Sequence, residues 1–219
     1  MAAARSNPLA LAVLLCLLER PMHPYEIAET LRSRAKEESV RLNYGSLYAV
    51  VESLQKRGLV RARETLRHGR RPERTVYELT EQGGREATDW LSDLLSVPVK
   101  EFPQFMAALS FLPALPPEEV GEALRQRATA LEMRLVHLRG LLQAVAATGF
   151  PRLFSIENEY EVAMTEAELE FVRRLSKEID SGAFDGLELW RQFHADEGQR
   201  EEILASITPP FGREPPTGS

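Results

Sequence analysis

The chain has 219 residues, 43% hydrophobic and 27% charged, with a formal net charge of −6. That apolar fraction is ordinary for a folded globular protein and excludes wholesale disorder, and the length fits one or two domains. A single cysteine, Cys16, excludes an intramolecular disulfide and any multi-cysteine zinc site, and it fits a reducing compartment.

From the N-terminus, Arg5 precedes an apolar run at 8–18 that has the outline of a secretory signal. The run is too short to span a bilayer, and no small-x-small cleavage site follows it. Asn7 as N-cap and Pro8 at the first helical position predict a buried helix there instead. A second helix is predicted over 24–38, with Tyr25, Ile27, Ala28 and Leu31 at helical spacing and a charged end from Arg32. A third fits 43–57: Asn43 caps it, Leu47, Val50, Val51 and Leu54 form one apolar stripe, and Gly58 ends it.

The period then falls to two. Residues 59–65 read as a strand and 74–79 as its partner. Between them lies the turn-rich basic loop Leu66 to Glu73. Thr80 caps a fourth helix running to about Leu95, with Ala87, Trp90, Leu91, Leu94 and Leu95 on its apolar side. Three helices, a strand, a basic loop, a strand and a helix make the layout of a winged helix-turn-helix.

Val97-Pro98 breaks the chain, a short helix is expected at 102–112, and prolines break it again by Pro117. A long helix follows from Glu118 to about Thr148. Its Leu124, Ala128, Leu131, Leu135, Leu138, Leu142 and Val145 alternate four and three apart as a heptad seam. Gly149-Phe150-Pro151 stops it. A second long helix is expected over 153–181, with Ile156, Tyr160, Met164, Ala167, Phe171 and Leu175 on one stripe, giving an antiparallel α-hairpin or coiled coil. The fold class expected is therefore mainly α. The domains expected are a winged unit at 1–96, a connecting segment at 97–117, a helical dimerisation domain at 118–207 and a disordered tail at 208–219.

Charge supports the division. Residues 1–75 carry 14 Lys/Arg against 8 Asp/Glu, and residues 76–219 carry 13 against 25. A basic first third on an acidic remainder suits a polyanion-binding module on a carrier, although scatter of solvated surface charge gives the same imbalance.

Two groups of residues are candidate DNA contacts. With its stripe turned to the core, the third helix leaves Asn43, Tyr44, Ser46 and Tyr48 at its start for a partner. Asn can pair with adenine edges, Ser with base or phosphate, and Tyr with phosphate oxygen. The alternative is a capped helix start with Tyr44 or Tyr48 partly in the core. Arg67, His68, Arg70, Arg71 and Arg74 form a wing that repels itself unless solvated or matched by phosphates. A solvated hairpin tip is its plain alternative.

Nothing comparable points to catalysis. His23, His68, His137 and His194 have no metal-ligand spacing. The acidic stretch Glu157, Glu159, Glu161, Glu166, Glu168 and Glu170 lacks a Glu-x-x-His partner and reads as a solvated helix face. There is no Gly-rich phosphate loop, nucleophile elbow or Cys/His pair, and Cys16 reads as an inert core thiol. The expectation is no enzyme, no cofactor and no metal, in a cytoplasmic protein with no membrane span.

The residues that carry this layout also resemble a known family. Leu11 to Leu18, His23-Pro24-Tyr25-Glu26-Ile27, Ser46-Leu47-Tyr48, Leu54-Gln55-Lys56-Arg57-Gly58-Leu59-Val60 and Tyr77-Glu78-Leu79-Thr80-Glu81-Gln82-Gly83, in that order over about 9–95, are similar to the PadR family of bacterial transcriptional regulators. Two positions depart from its pattern: Pro24 stands where a glycine is usual, and Ala49 where a proline is usual. The resemblance implies a winged helix-turn-helix that binds double-stranded operator DNA as a homodimer. Asn43 to Tyr48 would begin the recognition helix, with Tyr48 its signature tyrosine, and Arg67 to Arg74 would be the wing. It also implies a C-terminal helical dimerisation arm and a response to small phenolic or hydrophobic effectors.

The expected function is thus a ligand-responsive repressor on a pseudo-palindromic site, its two recognition helices about 34–36 Å apart. Leu124, Leu131, Leu135, Leu138, Leu142, Tyr160 and Phe171 are the expected dimerisation residues. The rival is a helical scaffold whose winged domain contacts protein rather than DNA.

Overall fold

A computed structural model describes residues 7–37, 39–66 and 74–195. The chain separates into two compact units, Met1–Glu101 and Phe102–Ser219.

The first unit is built on α1 (Pro8–Glu19), whose Asn7 cap accepts from the Leu9 N–H at 3.0 Å. Seven of its residues are buried, so it is a central helix, and α2 (Pro24–Ser33), α3 (Tyr44–Lys56) and α4 (Glu81–Ser96) pack on it or on one another. Burial holds the Cys16 thiol above its ordinary range, which keeps it protonated. The predicted stripe of α3 is buried at all four positions. Past its end, the Leu59 N–H bonds the Leu54 carbonyl and the Gly58 N–H bonds the Gln55 carbonyl, with Gly58 at φ 72°. That paired arrangement needs a left-handed residue, which glycine supplies without steric cost.

Strands β1 (Val60–Leu66) and β2 (Arg74–Leu79) pair antiparallel, with an irregularity between Ala62 and Glu64. Met22 adds a bridge to Tyr77 with bonds of 3.0 Å in both directions, a third strand position that the sequence pattern does not signal. Thr80 caps α4 as expected. Of the apolar side expected for α4, Ala87 and Trp90 are buried, whereas Leu91, Leu94 and Leu95 are exposed.

The helix predicted over 24–38 ends at Ser33. Ala35 takes a left-handed φ of 53°, and the Lys36 N–H closes back on the Leu31 carbonyl at 2.9 Å. Tyr25 is also off the buried stripe, which runs through Pro24, Ile27, Ala28 and Leu31; a tyrosine two residues before Ile27 points elsewhere on a 3.6-residue period.

The second unit contains α5 (Gln104–Ser110), a 3-10 turn at Leu112–Ala114, α6 (Pro117–Ala147), a 3-10 turn at Arg152–Phe154, α7 (Ile156–Asp180) and α8 (Leu187–Ala195). The sequence pattern assigns no element to the stretch holding α8. Trp190 on α8 joins the core and donates its indole N–H to the Leu115 carbonyl at 2.8 Å.

Helices α6 and α7 form an antiparallel hairpin. Ion pairs join them with ends reversed: Arg125, near the start of α6, pairs with Asp180 at the end of α7 at 2.7 Å, and Arg139, near the end of α6, pairs with Glu166 in the first half of α7 at 2.6 Å. Exposed pairs of this kind contribute little individually. Four of the glutamates that resemble a carboxylate cluster in sequence are here partners of arginines: Glu159 with Arg152, Glu161 with Arg134, Glu166 with Arg139 and Glu168 with Arg127.

The hairpin corrects one expected stripe. The buried face of α7 runs through Thr165, Leu169, Val172, Leu175, Ser176 and Ile179, while Ile156, Tyr160, Met164 and Phe171 are exposed. On α6, Leu124 and Leu135 pack into a core with Leu169 and Val172 of the same chain; Leu138 is buried and Leu131 and Leu142 half-buried. The heptad seam is therefore taken up largely within one chain. Among the described residues no helix is long and apolar enough to cross a membrane.

Candidate nucleic-acid interface

The start of α3 is set by its cap. The Asn43 side-chain oxygen accepts the Ser46 N–H at 2.7 Å, so that oxygen serves the helix as well as any partner. Loss of the cap should cost about 1 kcal/mol. Asn43→Ala should therefore lower stability by that amount in a urea titration, with the cooperativity of the transition unchanged.

Tyr44 and Tyr48 are 39% and 49% exposed, and Ser46 is also exposed, so neither tyrosine enters the core. Their neighbours come from α2. His23 accepts the Tyr25 N–H at 3.0 Å through Nδ1, and Glu26 accepts the His23 N–H at 2.8 Å, a reciprocal cap that fixes the start of α2. The His23 ring meets Tyr48 edge-on at 6.3 Å. Tyr25, 48% exposed, stacks on Tyr44 with ring centres 6.1 Å apart and planes 8° from parallel. The two helix starts thus share one exposed aromatic surface.

A cation completes it. The Arg32 guanidinium carbon lies 4.7 Å from the centre of the Tyr44 ring, and Nη1 donates to the Tyr44 hydroxyl. That hydroxyl and the Glu37 carboxylate push the Arg32 pKa above its ordinary value, so the group is always charged. Tyr25 and Arg32 are absent from the candidate contacts read from sequence. The signal for Tyr25 was its position off the buried stripe; Arg32 meets Tyr44 only through the turn, which no local pattern encodes.

Arg67, His68, Arg70 and Arg71 lie outside the described residues. Arg74 opens β2 opposite Leu66. On β1, Arg61 and Arg63 both reach Glu78, at 2.6 and 3.7 Å. Among the described residues no group of three or more His, Cys, Asp or Glu side chains is placed to hold a metal.

Comparison with known proteins agrees with this architecture. Residues 13–89 match the family described as transcriptional regulator PadR-like. The negative transcriptional regulator PadR of Bacillus subtilis is 25% identical over 112 residues, 51% of this chain and 61% of that protein, so the aligned part is less than two thirds of the relative. The crystal structure of Bacillus subtilis PadR in complex with operator DNA superposes with a TM-score of 0.62 at 18% identity, covering 79% of this chain and 99% of that one. The same protein in complex with p-coumaric acid gives 0.62 at 17% identity, covering 78% and 98%. These similarities establish a shared fold. The family likeness lies in the N-terminal unit, where residues 13–89 are similar to the PadR-like family of transcriptional regulators.

Proposed function

We propose that this chain is a cytoplasmic, non-enzymatic DNA-binding transcriptional regulator, a ligand-responsive repressor acting as a homodimer on a pseudo-palindromic operator. The observation that carries the reading is the exposed start of α3, where a buried stripe turns Tyr44, Ser46 and Tyr48 outward beside a permanent cation. The start of the second helix of such a motif is the part that enters a major groove, and its N–H groups favour phosphate. Bacillus subtilis PadR, a negative regulator crystallised with operator DNA, supports the same direction.

Since most of the α6 seam is used within the chain, pairing of two copies falls to apolar residues that the hairpin leaves exposed. These are Tyr160, Met164 and Phe171 on α7, with Met133 and Val136 on α6. A small phenolic acid is the effector class to try first, because Bacillus subtilis PadR has been crystallised with p-coumaric acid.

The test is a mobility shift of the full chain on duplex DNA from upstream of its own coding region. A discrete complex holding two chains, dissolved by a hydroxycinnamic acid, is expected. A complex of one chain overturns the dimer, and a complex indifferent to phenolic acids overturns that effector class.

A further inference from the structure

Arg32 belongs to α2 but is held by α3. It lies in the last turn of α2, under the Tyr44 ring and hydroxyl, and Tyr44 is itself stacked on Tyr25. A guanidinium over an aromatic face is fixed in place and partly stripped of water, and it keeps a fork of donors that matches phosphate oxygens. Two carboxylates occupy that fork. Glu37 accepts from Nε at 3.1 Å, and Glu29 stands 3.6 Å from Nη1. Both are about half exposed, as is usual for ion pairs that exchange readily with other anions.

We propose that Arg32 is a phosphate-contacting residue of the DNA interface, and that Glu29 and Glu37 are internal counter-anions that the DNA backbone must displace. The inference rests on the DNA-binding reading above and adds regulation to it. Tyr44 delivers the cation to the start of the recognition helix. The two acids set how much of its charge a duplex can use, so affinity is tuned without touching a base-reading residue. If Arg32 only tied the end of α2 to the start of α3, its loss would lower stability and leave the electrostatics of binding alone.

The test is fluorescence anisotropy of the full chain on its upstream duplex across a salt series, with thermal melts to verify folding. Arg32→Ala should weaken binding and make the slope of log K against log salt shallower by about 0.9, one phosphate contact. Arg32→Lys should keep most of the slope, since it keeps the charge. Glu29→Gln with Glu37→Gln should tighten binding by about two- to fivefold, the scale of exposed ion pairs. Most of that gain should vanish when Arg32→Ala is added, because the acids act through Arg32. An unchanged slope in Arg32→Ala, or an equal gain from the glutamine changes with and without Arg32, overturns the proposal while leaving DNA binding intact. A wild-type chain that ignores the duplex overturns the DNA-binding reading, and the proposal with it.

Discussion

Gly83→Ala should destabilise the winged unit by about 3 kcal/mol, the upper part of the range for forced overpacking. A Cβ at Gly83 would lie 2.0 Å from the Leu59 carbonyl oxygen and 2.9 Å from both its carbonyl carbon and Leu79 Cδ1. The obstacle is backbone, and it is pinned. The Leu59 N–H is bonded to Leu54, and its carbonyl accepts from both the N–H and the hydroxyl of Thr80 at 3.1 Å. Relief therefore requires breaking the junction of α3, β1 and α4. The adjacent position provides the control. At Gly84 an added Cβ would meet only Leu79 Cδ2, at 3.7 Å, an ordinary contact. Gly84→Ala should stabilise by roughly 0.5–1 kcal/mol through helix propensity. Denaturant titration of the two variants should give opposite signs; equal effects would mean that α4 does not pack so closely on Leu59.

Trp90 should show a comparable loss with an unusual exception. It is 2% exposed in the first core, and its indole N–H has no hydrogen-bond partner among the described residues. Trp90→Ala removes the largest side chain of that core and should cost about 4 kcal/mol. Trp90→Phe leaves a smaller void, worth about 1 kcal/mol, and removes an unpaired buried donor whose desolvation costs about 1–3 kcal/mol. The two effects oppose, so the phenylalanine variant should lie near wild type or slightly above it in a melting experiment. A phenylalanine variant as unstable as the alanine one would mean that the N–H is paired.

Local signals account for what the sequence makes legible. The four-residue stripe of α3, its asparagine cap and its terminal glycine each act within a turn or two of helix, and each has the structural counterpart expected of it. The strands around the basic loop follow from their alternation. The end of α2 is hidden because an alanine, not a glycine or proline, takes the left-handed position after Ser33. The faces of α7 are hidden for another reason. This helix carries two apolar stripes, and the one its own chain covers includes Thr165 and Ser176. Sequence ranks stripes by apolar content, whereas the hairpin selects by fit to α6. The interface divides in the same way. Tyr44, Ser46 and Tyr48 are visible as residues left off a stripe, but the meeting of Tyr25, Arg32 and Tyr44 depends on how two helices cross.

On the DNA-binding reading, the winged unit should grip a duplex through phosphate neutralisation at the start of α3 and at the basic loop. That expectation is tested most directly by the salt dependence of binding in the wild type and in Arg70→Ala/Arg71→Ala. Log K should fall linearly with log salt for the wild type, with a slope shallower by about 1.8 in the double variant. An identical slope in both, or no binding of duplex at low salt, would contradict it.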